Sequence, residues 1–297
     1  MTFSFVIPTK NRLEELKTIF NSILSQSLYP NQVIVIDQSE PNNLDIKHFE
    51  ELIAPTNINL SYIHDQSIRG LVDAKSASLK YNECDIISFF DDDIVLKPNY
   101  LFEISQAFIN NKSIIGANAI IINRPVHNYL KSLIFNFFHI GLFRDNRQSV
   151  SNKTNDTSLL PVNTLSGGLS SWKKGVFEKV KFDTENKFHA YEDKEFSIRV
   201  ERAFPNQMYI VPGAKLYHYH SPGNRQSLLK RTKTDVVEVI MLFKKNGDFS
   251  YLGFDLLIML LGLMLNSVLF SFKHFNINFL LNFLKGLNNG RKREILG

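Results

Sequence analysis

Short apolar runs alternate with helical periodicities through the first ninety residues. Residues 3–7 form a mostly apolar run stopped by Pro8, and Thr9, Lys10, Asn11 and Arg12 make a turn. Apolar residues then recur at Leu13, Leu16, Ile19, Phe20, Ile23 and Leu24, the spacing of one helix face. Residues 32–36 read as a second buried strand ending at Asp37, and a helical stretch surrounds Phe49 and Leu52. Residues 60–64 alternate and end at Asp65; 71–81 are helical; 85–90 are a fourth strand leading into Asp91. Strands separated by helices predict an α/β fold with a parallel, doubly wound sheet. Such sheets bind ligands at the carboxyl ends of their strands, where Asp37, Asp65 and Asp91 fall.

The second half is less regular. A strand is expected over 114–122, a helix over 192–202 with Phe196 and Val200 on one face, and a strand over 207–211. Residues 129–143 are rich in Phe and Leu and read as core, with a lid or a second membrane contact as alternatives. Residues 149–158 form a polar loop. The small-residue stretch 164–171 suggests backbone lying close to a ligand.

Near Leu228 the pattern changes. Residues 251–272 hold 16 hydrophobic residues of 22, interrupted by Asp255 and Asn266. The 17 residues between Asp255 and Lys273 are at the short end of the ~17–25 that span a bilayer. Phe279, Leu280, Phe283, Leu284 and Leu287 follow at helical spacing, ahead of Arg291, Lys292 and Arg293, as in an interfacial amphipathic helix. Lying in the interface is expected rather than a full crossing; a helical hairpin packed on the domain or on a second copy, making a homo-oligomer, is the alternative. The boundary is set at 1–227 for the α/β domain and 228–297 for a helical, membrane-associating extension.

Charge sharpens this division. Of 34 basic and 29 acidic side chains, 10 basic and 5 acidic lie in 228–297, leaving 24 of each before it. The whole net charge of +5 therefore belongs to the tail. A nucleic-acid binder carries its basic face on the folded domain, so no nucleic-acid partner is expected; a basic tail beside apolar sequence points to an anionic membrane surface. The opening residues lack the basic start and long apolar run of a secretory signal, so the expected location is cytoplasmic, peripheral or monotopic at the inner face of the cell membrane. Composition adds exclusions. With 44% hydrophobic residues in 297, 14 Gly and 10 Pro, the chain is neither disordered nor collagen-like. The single cysteine, Cys84, excludes an intramolecular disulfide framework or a Cys-based zinc site.

Three clusters carry candidate chemistry. Asp91, Asp92 and Asp93 follow an apolar strand. Adjacent like charges raise one another's pKa, so such a cluster in a fold calls for a cation, and hard oxygen ligands suit Mg²⁺ or Mn²⁺ bridging to phosphates. In extended backbone Asp91 and Asp93 point one way and Asp92 the other. Glu192 and Asp193 sit at a helix start, where the dipole keeps a carboxylate ionised for general-base work. His218 and His220, at i and i+2, share a face and are candidate metal ligands. A solvated turn, a helix cap and a structural histidine pair are the plainer readings of each.

Taken in order, these features resemble the family 2 glycosyltransferases of GT-A fold. The matching segments are F-V-I-P-T-K-N-R, V-I-V-I-D, F-F-D-D-D, L-S-G-G-L-S-S-W, F-D at Phe182 and Asp183, E-D at Glu192 and Asp193, and P-G-A-K-L-Y-H-Y-H-S-P-G-N-R, across roughly residues 3–225. The resemblance implies a GT-A, Rossmann-like, mostly parallel sheet flanked by helices, and an inverting transfer from a nucleotide-sugar donor to an acceptor hydroxyl. It implies that Thr9, Asp37 and Asp65 surround the base, and that Asp91 faces the ribose with Asp92 beside it. Asp93 would ligate Mg²⁺ or Mn²⁺, with Asp91 near and His218 or His220 completing the site. Asp193 would be the catalytic base, Glu192 its neighbour, Gly167 and Gly168 the acceptor-side lining, and Arg225 a diphosphate contact. The chain departs from the family at Ala74-Lys75-Ser76, where Ala-Arg-Asn is common; Lys75 keeps the charge without the bidentate fork. Membrane affinity suggests a saccharide or lipid-linked saccharide acceptor in surface polysaccharide assembly. A nucleotidyltransferase and an inactive membrane scaffold are the competing readings; the first lacks its Gly-rich phosphate loop at Pro8-Thr9-Lys10-Asn11.

Overall fold

The computed structural model describes residues 1–125, 129–147, 158–221, 226–247 and 253–296. Its centre is a nine-stranded mixed sheet. In chain order the elements are β1 (Phe3–Thr9), α1 (Leu13–Leu24), β2 (Gln32–Asp37), α2 (Ile46–Ile53), β3 (Asn59–His64), α3 (Leu71–Ser78), β4 (Ile86–Phe90), β5 (Ile94–Leu96), α4 (Tyr100–Asn110), β6 (Gly116–Ile121), α5 (Tyr129–Phe138), β7 (Leu160–Pro161), β8 (Leu169–Lys173), α6 (Val176–Lys179), α7 (Glu192–Ala203), β9 (Met208–His218), α8 (Leu228–Asn246), α9 (Phe254–Lys273) and α10 (Asn278–Lys292).

The strand order is β3-β2-β1-β4-β8-β6-β9-β5, with β7 also on β9. The first four strands pair in parallel, as the strand-helix alternation predicts. β6 and β9 run with them, while β8, β5 and β7 are antiparallel insertions, so the sheet is mostly parallel. All seven residues of β1 and all six of β2 are buried, because a central parallel strand is covered on both faces. Phe5, Phe20, Phe90 and Tyr100 belong to the core on one side. Val6, Ile34, Phe89, Trp172 and Phe196 belong to the core on the other.

Register positions the chemistry. Thr9 pairs with Asp37 and Asp37 with His64, so the carboxyl ends of β1, β2 and β3 finish together, with Asp65 and Asp91 just beyond β3 and β4. On β8, Leu169 pairs with Phe90, which sets Gly168 against Asp91. On β9, His218 pairs with Ile94, which sets the histidine beside Asp93. The expected helices over 192–202 and the strands over 114–122 and 207–211 are present as α7, β6 and β9.

The expectation of core for 129–143 fails over its first ten residues: α5 buries none of its side chains. Phe143, in the 3-10 turn that follows, is buried. In the tail, α8 is deeply packed through Val236, Val239, Met241 and Leu242, and α10 lies on it, with Gly286 and Gly290 against Val236 and Ile240. α9 is different: only Met259 and Ser267 are buried. Among the described residues it is the one helix long and apolar enough to cross a membrane.

Candidate active site

The strand ends open into a cleft of about 1100 Å³ lined by Thr9, Lys10, Arg12, Arg69, Asp91, Asp92, Asp93 and His189, among others. The three aspartates diverge, but through a turn at Asp92 and Asp93 between β4 and β5 rather than through the extended backbone expected. Asp92 turns under β1, where it accepts hydrogen bonds from Thr9 Oγ1 (2.8 Å) and Arg12 Nη1 (2.5 Å). Burial pushes its carboxyl up to about 6, although Arg12 pulls the other way. Asp91 and Asp93 turn instead toward His218. Its Nε2 lies 3.0 Å from Asp93 Oδ1 and 3.6 Å from Asp91 Oδ2. Asp93 Oδ2 also accepts the Ser221 N–H at 2.8 Å, and the Ser221 carbonyl accepts from Arg12 Nη2 at 2.7 Å. Burial works against ionisation of Asp93, but His218 and Arg12 outweigh it and hold the carboxyl down to about 2.

One ligand atom from each of Asp91, Asp93 and His218 falls within 4.8 Å of the others. Two carboxylate oxygens beside the cleft and an imidazole nitrogen fit a divalent cation such as Mg²⁺ or Mn²⁺. His220 stacks its ring 3.9 Å from His218 but is exposed, with a left-handed φ of 52°. The register of β5 on β9 explains why the first histidine, and not the second, reaches the carboxylates.

Gly167 and Gly168 join this cluster to the second one. A Cβ on Gly168 would lie 2.2 Å from Asp91 Cγ, and one on Gly167 would lie 2.0 Å from Glu192 Oε1. Only residues without a side chain permit that approach. Beneath Gly167, Lys75 Nζ donates to Glu192 Oε1 at 2.7 Å in a buried ion pair. Burial raises the Glu192 carboxyl, with Lys75 opposing. Lys75 thus reaches the Glu192 side of the site.

Asp193, next along α7, faces Arg147. Nη1 of Arg147 donates to Asp193 Oδ2 at 3.0 Å and to Ser166 Oγ at 2.9 Å, while Nη2 donates to Asp145 Oδ2 at 2.6 Å. Burial disfavours the charged guanidinium, but Asp193 and Asp145 more than compensate and raise its pKa. α7 is fixed from below by aromatic packing: Phe196 stacks on Phe182 (4.6 Å) and meets Trp172 edge-on (5.2 Å). From the tail, Glu238 of α8 accepts the N–H groups of His189, Ala190 and Tyr191 at 2.9, 2.8 and 3.0 Å.

Asp37 and Asp65 are not among the cleft-lining residues; each immediately precedes one that is, Gln38 and Gln66. Asp37 is buried and accepts from Tyr62 Oη (2.5 Å) and the Ser39 N–H (2.8 Å). Asp65 lies just beyond β3 and accepts the Ser67 N–H at 2.8 Å; hydrogen bonding to Ser67 lowers its pKa. Arg225 lies outside the described residues. Sequence reasoning missed Arg12, Tyr62, Arg147 and Glu238. Arg12 had a signal, a cation in the turn after the first strand; Glu238 had another, an acid inside the apolar run Val236-Val237-Glu238-Val239-Ile240. Arg147 had none, since its polar loop has no periodicity.

The model of the family described as Glycosyl transferase family 2 matches residues 4–168, more than half of the chain. The chain belongs to that family. Within it, the match spans the aspartate cluster and Gly168, and the sheet agrees with solved GT-A structures. GalNAc-T7, solved with UDP, GalNAc and Mn²⁺, superposes with a TM-score of 0.59 at 16% identity, over 85% of this chain and 53% of its own. The mannosyltransferase PcManGT from Pyrobaculum calidifontis, solved with GDP-Man and Mn²⁺, gives 0.57 at 13% identity, over 99% and 76%. Residues 1–349 of S. aureus TarS give 0.53 at 17% identity, over 98% and 92%. The family 2 chain thus spans about half of GalNAc-T7. At these identities the likeness is one of fold. A search among curated proteins finds none that matches.

Proposed function

We propose that this family 2 chain is an inverting, divalent-cation-dependent glycosyltransferase that moves a sugar from a nucleoside-diphosphate donor to an acceptor hydroxyl. One observation carries the reading: the Asp91, Asp93 and His218 cluster is separated from Glu192 and Asp193 only by the Gly167-Gly168 backbone. The candidate cation site and the candidate base therefore lie on either side of one two-residue backbone segment, with Asp91 against Gly168 and Glu192, the neighbour of Asp193, against Gly167.

In this reading Asp91, Asp93 and His218 hold Mg²⁺ or Mn²⁺, the latter being the ion in GalNAc-T7 and PcManGT. A cation bound there supplies Lewis-acid stabilisation of the departing diphosphate. Thr9, with Asp37 and Asp65 just behind the cleft lining, is assigned to the nucleoside, and Asp91 and Asp92 to its ribose; Arg225 is assigned to the diphosphate. Asp193 accepts the acceptor's hydroxyl proton on a carboxylate oxygen. The acceptor oxygen bonds to the anomeric carbon from one face as the bond to the diphosphate oxygen breaks on the other, so a single displacement inverts the configuration. Asp193 lies in the first turn of a helix, where the dipole favours negative charge, and accepts from Arg147. Glu192, tied to Lys75, is too constrained to share the proton and shapes the acceptor side with Gly167.

The acceptor is proposed to be a lipid-linked or surface polysaccharide precursor. The basic tail and the exposed α9 support a position at the inner face of the cell membrane, where lipids are anionic; homo-oligomers could form through the same helices. A panel of nucleotide sugars tests the reaction. Binding that requires Mg²⁺ or Mn²⁺, followed by a product of opposite anomeric configuration by NMR, is expected. Metal-independent binding or retained configuration would contradict the proposal.

A further inference from the structure

Among the described residues, fifteen of the 25 exposed large hydrophobic side chains lie on residues 129–138 and 254–284. On α5, Leu130, Leu133, Ile134 and Phe137 are 46–62% exposed, at the spacing of one helix face. On α9, Leu257, Leu261, Leu265 and Leu269 recur every fourth residue and are 38–64% exposed. On α10, Leu281 and Leu284 continue the pattern at 41% and 52%. The helices are joined side by side. Phe138 of α5 sits on Gly262 of α9, where a Cβ would come within 2.7 Å of its ring. On the other flank Phe270 of α9 and Phe279 of α10 meet at 5.6 Å. Gly262 adjoins Leu261 in sequence and lies three residues before Leu265, so α5 borders the exposed stripe of α9.

Charge selects the occupant. Within α5, α9 and α10 Asp255 is the one acid, and its Oδ2 accepts the Leu142 N–H at 2.9 Å; Glu294, just past α10, is exposed. Lys273, Lys285, Arg291 and Lys292 are exposed. An apolar face of this extent on helices that carry more cations than acids matches acyl chains beneath anionic headgroups.

We propose that α5, α9 and α10 form one surface that docks on an anionic phospholipid bilayer, with α5, from the catalytic half of the chain, as part of it. The placement has a consequence for the acceptor. α5 leads through the turn Gly141–Phe143 to Asp145 and Arg147, and Arg147 touches Asp193. The lipid face therefore adjoins the acceptor side of the cleft, and an acceptor on an apolar carrier reaches Asp193 without leaving the bilayer. That consequence rests on Asp193 as the proposed base; the docking itself does not.

Flotation of the full chain with vesicles tests the proposal. Wild type floats with vesicles of phosphatidylcholine containing about one third phosphatidylglycerol, and weakly with phosphatidylcholine alone or in high salt. L133D/F137D on α5 and L261D/L265D on α9 each lower the floated fraction about tenfold, while metal-dependent nucleotide binding, measured on the same samples, stays at the wild-type level and shows the variants folded. Wild type that floats with neither vesicle overturns the proposal, as does L133D/F137D floating like wild type. A dimer by light scattering that L261D/L265D dissociates assigns the face to a second copy and also overturns it. Failure of the transferase reading is separate, since it appears as absent sugar transfer whatever the vesicles do.

Discussion

Arg147 Nη1 lies 3.0 Å from Asp193 Oδ2, and the same guanidinium grips Asp145. The proposed base is therefore held by a cation that is itself anchored, which fixes the carboxylate's direction. Asp193→Asn keeps the shape and removes the basic oxygen. Turnover should fall by roughly 10²–10⁴-fold, the usual contribution of a general base, with donor affinity unchanged by calorimetry. A variant that transfers sugar at the wild-type rate would remove Asp193 from the mechanism.

Asp93 has both oxygens engaged, one by His218 and one by the Ser221 N–H. Asp93→Ala leaves Asp91 and His218 as an incomplete ligand set. Titration with Mn²⁺ and nucleotide should show metal-dependent nucleotide binding lost, and chelation of wild type should reproduce that loss. Unchanged metal and nucleotide affinity in Asp93→Ala would count against the assignment.

Gly168 offers a cheaper perturbation. An alanine there places a methyl group 2.2 Å from Asp91 Cγ, so either the carboxylate or β8 must move. Overpacking of this kind costs about 1–3 kcal/mol. Urea denaturation of Gly168→Ala should show that loss together with weakened metal binding. Wild-type stability and metal affinity would mean that the close approach is relieved elsewhere.

The sheet was legible because strands 1, 2 and 4 are apolar runs and strand 3 alternates, with Asp37, Asp65 and Asp91 at or just past their ends, and the helices between them have clear periodicity; β1 runs through Pro8 to Thr9 rather than stopping at the proline. The Gly167-Gly168 approach was legible from small residues alone. Three things were not. The antiparallel insertion of β8 depends on pairing with a strand some eighty residues away, which no local period encodes. The choice of His218 over His220 follows from the register of β5 on β9. The exposure of α5 could not be read from composition, because a core helix and a lipid-facing helix look alike until burial is known.

Asp235 on α8 is mostly buried, and burial raises its carboxyl to about 6 despite Arg231, whose Nε lies 3.6 Å away; Glu238 adds to the rise. Its unfolded value is 3.8, so the folded chain binds this proton more tightly. Stability therefore falls as pH rises from about 4 to about 6, and the penalty persists above that. Asp235→Asn removes the charge that burial disfavours. Its melting temperature should exceed that of wild type near pH 7.5 and converge with it near pH 4. An equal shift at both pH values would mean that the effect is not electrostatic.

Glu238 reaches from the tail to the loop that opens α7. Its carboxylate accepts three successive N–H groups, from His189 to Tyr191, immediately before Glu192 and Asp193. Tyr191 begins the turn from which Asp193 projects, so the grip of Glu238 on that backbone sets where the carboxylate points. Charge-assisted bonds to backbone amides are the strong kind, and because these are only part-buried, losing them costs on the order of 1 kcal/mol. In Glu238→Gln the amide nitrogen cannot accept, so the N–H groups facing one of the two oxygens lose their partner. Donor affinity, which depends on the strand ends, should be unchanged, while kcat drops and stability declines modestly. Glu238→Asp retains the charge but shortens the reach, and should recover part of the kcat. Equal losses in donor binding and kcat would show that Glu238 holds the whole fold rather than the position of Asp193.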